Sequence, residues 1–220
     1  MGLFGKLFSG ESDEVLALKA SAEKGDAEAQ YELSNRYAWG NGTKKDFKKS
    51  FMWLEKAAEN GWAQAQIDLG IAYHNGYMGQ KNYAKAFQWY QRAAEQDHMW
   101  GYHNMGVYYN NGYYVQKDYV KARECFANAV KLGNVASLYE IGVLYTEGKG
   151  VEANFEEAAL YYSKGAELGN ADCQNNLGWA YQNGWGVPKD VAKAVTWYRK
   201  AAEQGHNLAI ANLRNLGINA

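Results

Sequence analysis

Small and apolar residues return along this chain at a fixed interval of 36 positions. Cut from Ala27, the sequence falls without gaps into five blocks: 27–62, 63–98, 99–134, 135–170 and 171–206. Block position 11 is Tyr in every copy (Tyr37, Tyr73, Tyr109, Tyr145, Tyr181), and position 14 is Gly in every copy (Gly40, Gly76, Gly112, Gly148, Gly184). Position 7 is aliphatic or Met, and position 8 is Ser34 and then Gly70, Gly106, Gly142 and Gly178. Such repetition within one chain is the signature of a solenoid, in which each unit buries its apolar face only against the next.

Each block reads as two helices. Positions 3, 7 and 11 lie on one helical face, beside position 8. That helix stops at the position-14 Gly, which suits the left-handed C′ conformation. Position 20 is Asp46, Asn82, Asp118, Asn154 or Asp190, and it caps the second helix. Positions 24, 27, 28 and 31 form the second apolar stripe; in the last block they are Ala194, Trp197, Tyr198 and Ala201. Position 35 is Gly in four blocks and Asp97 in the second. The predicted fold is all-α: a right-handed α/α superhelical solenoid of five 36-residue helix hairpins with half-repeat caps. Residues 1–11 read as a flexible tail, 12–26 as an N-terminal capping helix, and 207–220 as a C-terminal capping helix in which Arg214 takes the position-8 slot and blocks a further repeat.

Composition narrows the function. Lys and Arg number 23 against 24 Asp and Glu, so no net charge draws the chain to nucleic acid. Lysines 44, 45, 48 and 49 cluster early and acids cluster late, as solvated faces do. No apolar run is long enough to span a membrane, and the start MGLFGKLFSGESDE has neither a signal-peptide core nor, with Lys6, a myristoylation signal. A cytoplasmic location is expected. Leu3, Phe4, Leu7 and Phe8 offer at most a weak peripheral membrane contact. The two cysteines, Cys125 and Cys173, lie in non-adjacent blocks and suggest no disulfide framework.

The stretch ADCQNNLGWAYQNGWGVPKDVAKAVTWYRKAAEQGH at 171–206 resembles the Sel-one-like repeat, a relative of the tetratricopeptide repeat, and the likeness runs through all five blocks. Ser34 for Gly and Cys125 for Trp are the main departures. The resemblance implies scaffolds and adaptors that hold peptides or proteins on a concave face. Some cysteine-rich members with a Cys pair in each repeat are linked to β-lactam binding; this chain lacks those pairs.

Catalytic signals fail in context. His98 and His206 share position 36 with Asn134 and Asn170, which suits capping. His98 and His103 are not spaced as a helical metal pair, and no metal or other cofactor is expected. Glu59, Glu95, Glu167 and Glu203 recur as frame residues, whereas a catalytic site needs one converging set.

Function is therefore sought where copies differ on the exposed side of the first helix, at positions 2, 5, 6, 9 and 13, which in a stack of repeats are expected to line the concave groove that binds the partner. These give Tyr31, Trp39, Ile71, Asn75, Trp100, His103, Asn104, Asn111, Tyr139, Glu140, Trp179 and Asn183 as candidate partner-binding residues. The tryptophans suit anchors and the asparagines suit backbone hydrogen bonds, although helix termination also explains an Asn before Gly. Acids at position 6 favour a partner with basic residues. The leading reading is a non-catalytic protein or peptide scaffold. A small-molecule or glycan binder and an enzyme with a groove site are the alternatives.

Overall fold

A computed structural model describes residues 11–77 and 79–218; the tail expected over 1–11 lies outside them except at Glu11. Among the described residues there are twelve α-helices and no strand. They are α1 Asp13–Ala22, α2 Ala27–Trp39, α3 Phe47–Glu59, α4 Ala63–Asn75, α5 Tyr83–Ala94 and α6 Met99–Asn111. They continue as α7 Tyr119–Lys131, α8 Ala136–Glu147, α9 Phe155–Glu167, α10 Ala171–Asn183, α11 Val191–Glu203 and α12 Asn207–Asn215. The chain divides into two units, Met1–Gly101 and Tyr102–Ala220. In unit 1, α1 through α5 pack consecutively, and in unit 2, α7 through α12 do so.

Local chemistry sets the ends of each hairpin. The position-14 glycines Gly40, Gly76, Gly112, Gly148 and Gly184 all have φ between 66° and 76°, the left-handed cap expected of them. Asp46, Asn82, Asp118, Asn154 and Asp190 each accept from the backbone N–H three residues on, at 2.9–3.0 Å. The backbone N–H of each cap also donates to the carbonyl of the position-11 Tyr, as from Asp46 to Tyr37 at 2.9 Å and from Asp190 to Tyr181 at 2.8 Å. The turn between paired helices is thereby pinned at the same two points in every copy. Asp97, standing where the other blocks have Gly, holds φ at 54°.

Close approach of the two helices rests on position 8. A Cβ added at Gly106 would sit 2.6 Å from Phe126 Cε1, and one at Gly178 would sit 2.8 Å from Tyr198 Cδ1. Gly70 and Gly142 meet Tyr90 and Tyr162 in the same way. The first repeat, with Ser34 at position 8, has Leu54 at position 28 in place of a ring, and Ser34 Oγ lies 3.3 Å from Ser50 Oγ. A larger residue on one helix is thus matched by a smaller one on the other.

Position 27 departs from the expectation of a fully buried stripe. Only Trp53 is buried there; Trp89, Tyr161 and Trp197 are half-buried. Buried or half-buried, each tryptophan there has a cation one turn on: Lys56 Nζ lies 4.3 Å from the Trp53 ring, the Arg92 guanidinium 4.6 Å from Trp89, and Lys200 Nζ 4.2 Å from Trp197. The long side chains cover the outer ring faces while their charges stay wet. The third repeat has neither partner, with Cys125 and Asn128 in those slots.

A buried amide rung joins some hairpins. Gln30, Gln66 and Gln174 at position 4 donate to the carbonyls of Ala22, Ala58 and Ala166. Their side-chain oxygens accept from Asn60, Gln96 and Gln204 at position 34, at 2.8–2.9 Å. The other repeats carry apolar residues in both slots: Tyr102 with Leu132, and Leu138 with Leu168.

Both kinds of contact should register in stability. Gly106→Ser should cost about 1–3 kcal/mol by overpacking, and markedly less in a Phe126→Leu background, as read by urea unfolding. Gln204→Leu should cost about 1–3 kcal/mol by orphaning the Gln174 amide oxygen, with most of the loss recovered in Gln174→Leu/Gln204→Leu.

Candidate partner-binding surface

The frame residues leave the first helices free to vary on their other side. In unit 1, Trp39 ends α2 and is 73% exposed, with Lys45 Nζ 5.9 Å from its ring. Ile71 on α4 and Trp100 on α6 are exposed at 37% and 38%, and Asn75 ends α4 in solvent. In unit 2, Trp179 on α10 is half-buried, edge-on to Trp185 at 4.1 Å. Asn111 and Asn183 are exposed, and each donates to the carbonyl four residues back, Val107 and Trp179, at 2.9 Å. Their amide oxygens can each still accept a hydrogen bond.

Position 5 is engaged with the following repeat at Tyr31 and His103, and with its own second helix at Tyr139. The Tyr31 hydroxyl donates to Asp68 Oδ2 at 2.9 Å, and burial followed by the Asp68 charge pushes its pKa up to about 12. His103 Nδ1 lies 2.9 Å from Ser137 Oγ. Because Ser137 gives its own proton to Asn134 Oδ1, His103 is assigned as the Nδ1–H tautomer. Burial lowers its pKa to about 4. Tyr139 tilts against Tyr162 with ring centroids 6.5 Å apart, and burial raises its pKa. Tyr31 and His103 bridge successive first helices, Tyr139 packs within its own hairpin, and all three show solvent only part of their surface. The sequence lattice places them on the outer face because it carries no information about how near the other helices stand.

At position 6, Asn104 and Glu140 are half-buried. Burial, and then the charge of Asp172, raises the Glu140 pKa. Asp172 Oδ1 also meets His206 Nε2 at 3.1 Å, and His206 Nδ1 accepts from the Ala209 N–H to cap α12. Glu140 and Asp172 thus place two neighbouring carboxyl groups in unit 2, whereas the exposed Glu147 is ion-paired with Lys149 at 2.6 Å. Cys125 and Cys173 are free thiols. Among the described residues, no group of three or more His, Cys, Asp or Glu side chains is placed to hold a metal ion, and no helix is long and apolar enough to cross a membrane.

The sequence lattice passed over the turn aromatics. Tyr77, Tyr113 and Trp185 share block position 15, and Phe47 and Phe155 share position 21. Trp185 lies 4.9 Å from Phe155, so the turns contribute rings to the surface. The signal was present, since position 15 is aromatic in three of five copies, but it falls between the two helical stripes.

The Sel1 repeat family model matches residues 27–62, 63–98, 101–134, 135–170 and 171–206. The chain belongs to the Sel1 repeat family. A solved protective antigen of uropathogenic Escherichia coli strains, described as displaying an SLR fold, is 37% identical with a TM-score of 0.84, over 93% of this chain and 44% of that one. This Sel1-repeat chain thus spans less than half the length of that antigen. A Sel1 repeat protein from Oxalobacter formigenes is 34% identical, with a TM-score of 0.79, over 86% of this chain and 77% of that one. An immunity protein from Pseudomonas aeruginosa is 26% identical, with a TM-score of 0.55, over 83% and 67%. No curated protein sequence matches the chain.

The His103 pKa, depressed below the unfolded value of about 6.5, has a definite sign. Its contribution to stability is complete above that value and is lost as pH falls toward about 4. Burial lowers the pKa of His74 and His98 in the same direction. Urea midpoints should fall between pH 7 and pH 4, and His103→Gln should flatten that fall without abolishing it.

Proposed function

We propose that this Sel1-repeat protein is a non-catalytic interaction scaffold, working in the cytoplasm, that holds a peptide or partner protein on the outer side of its first helices. Sel1-repeat proteins are generally protein-interaction scaffolds. The observation that carries the reading here is the division of labour within the repeat. Residues shared by all copies are spent on caps and helix contacts, whereas Trp39, Ile71 and Trp100 vary from copy to copy and stay exposed. Large exposed apolar side chains beside hydrogen-bonding amides are the material of binding hot spots. Tyr31, His103, Asn104 and Tyr139 support the surface from between the helices. Asn75, Asn111 and Asn183 offer acceptors at the helix ends. The neighbouring carboxyl groups of Glu140 and Asp172 favour basic residues on a partner contacting unit 2.

The test is quantitative binding to a partner recovered by affinity capture with the full chain. A Trp100→Ala/Trp179→Ala variant with an unchanged circular dichroism spectrum should bind at least about tenfold more weakly, since a buried Trp anchor contributes about 2 kcal/mol or more. Full-strength binding by that folded variant would overturn the assignment.

A further inference from the structure

Because the repeats share one frame, the same corner is comparable from copy to copy. It lies between a second helix and the first helix of the following repeat. In unit 2, between α9 and α10, the chain's own rings fill it. Tyr162, Phe155, Trp179 and Trp185 crowd together and leave a cavity of only about 10 Å³. In unit 1, between α3 and α4, the corresponding corner is open, with a cavity of about 450 Å³. The difference traces to single residues. Leu54 stands at position 28 where Tyr162 stands, and Ile71 at position 9 where Trp179 stands. Tyr77, at the position of Trp185, is 72% exposed. The space that aromatic side chains occupy in one corner is thus left vacant in the other, behind a wall of Phe47, Phe51, Leu54 and Ala72.

A basic cluster stands at one side of the opening. Lys44, Lys45, Lys48 and Lys49 stand where the turn enters α3, at the positive end of that helix. None of the four forms an ion pair with a carboxylate among the described residues. Lys45 Nζ lies 4.7 Å from the Phe47 ring, which brings that one cation to the cavity wall, whereas Lys49 Nζ lies over the Tyr37 ring at 5.1 Å. Asp68 lies at the other side of the cavity, but both its oxygens already accept hydrogen bonds, from Tyr31 and from Gln64, at 2.9 Å.

We infer that this corner of unit 1 is a docking pocket for one aromatic side chain of an acidic segment on a partner protein. The ring enters the cavity that Trp179 and Tyr162 close in unit 2, and flanking carboxylates meet the lysines. The inference rests on the scaffold reading and gives it one partner chemistry at one place.

The probe is a capped six-residue peptide with one Trp among Asp and Glu, titrated calorimetrically into the full chain. Two controls replace its Trp by Ala or its acids by Lys. Ile71→Trp restores the ring of the filled corner, and Lys45→Glu/Lys48→Glu reverses the charge at the mouth. Saturable one-to-one binding is expected, at least about tenfold weaker for either control peptide and for either variant, and weakened by salt. Equal binding by folded Ile71→Trp, equal binding of the Lys peptide, or no binding would overturn the pocket. So would either alternative occupant, in the absence of peptide binding. One is co-sedimentation with phosphatidylserine–phosphatidylcholine vesicles that Lys45→Glu/Lys48→Glu abolishes; the other is a dimer that Ile71→Trp dissociates. Partner capture lost in Trp100→Ala/Trp179→Ala but intact in Ile71→Trp would remove the pocket and leave the scaffold standing. The reverse pattern would support the pocket and remove the tryptophan assignment.

Discussion

The contact on which each hairpin depends is an absent side chain meeting a ring. Where position 8 is Gly, the ring at position 28 lies so close to the backbone that a single Cβ would collide with it, as Phe126 does at Gly106. Helix formation alone would favour Ala over Gly there by about 1 kcal/mol. The chain forgoes that gain because close helix approach lets a whole aromatic face leave water, which stabilises the fold by more, about 1.5–3 kcal/mol per buried side chain. The Ser34–Leu54 pair shows that the constraint is on the sum of the two residues, not on either one. Since each hairpin holds its helices at that separation, residues elsewhere in the repeat inherit fixed positions, and the exposed ones are free to change.

Most of this was legible because it is local. A glycine that must take positive φ and an Asp or Asn that must cap a helix are identified by spacing, and Gly40 and Asp46 stand as the lattice required. What the lattice misread were residues whose environment depends on the next helix. Trp197 shares a stripe with buried Ala194 and Tyr198, yet its outer face is covered by Lys200, a partner on its own helix that a count of apolar positions passes over. Tyr31, His103 and Tyr139 alternate correctly for a solvent face, but the next first helix, or for Tyr139 the ring of Tyr162, stands near enough to cover them in part. The buried glutamines escaped because Gln reads as polar, and polar reads as exposed, until a second amide and a carbonyl are seen to satisfy it.

Aromatic residues serve in three settings that composition cannot separate. Tyr198 is wholly buried against glycine. Trp197 is shielded by a cation. Trp39 is largely bare. The richness in Tyr and Trp that looks in the sequence like one sticky surface is thus mostly structural, with a small residue left over for recognition. That remainder is unevenly spread, as the filled and open corners show: one repeat junction spends its rings internally and another leaves room for a ring from outside.

The amide rung has an implication for how such a chain lengthens. Both side chains of a rung, such as Gln174 and Gln204, belong to the same 36-residue block, and the third member is a backbone carbonyl that any preceding block supplies. A block therefore carries its own matched pair, amide with amide or apolar with apolar, and asks nothing of its neighbour's side chains at that point. Insertion or loss of one whole cassette leaves every rung intact, whereas a crossover within a cassette would leave the buried amide of a position-4 Gln facing Leu in place of its amide partner. Selection against that mismatch would keep recombination in phase and let arrays grow by integers.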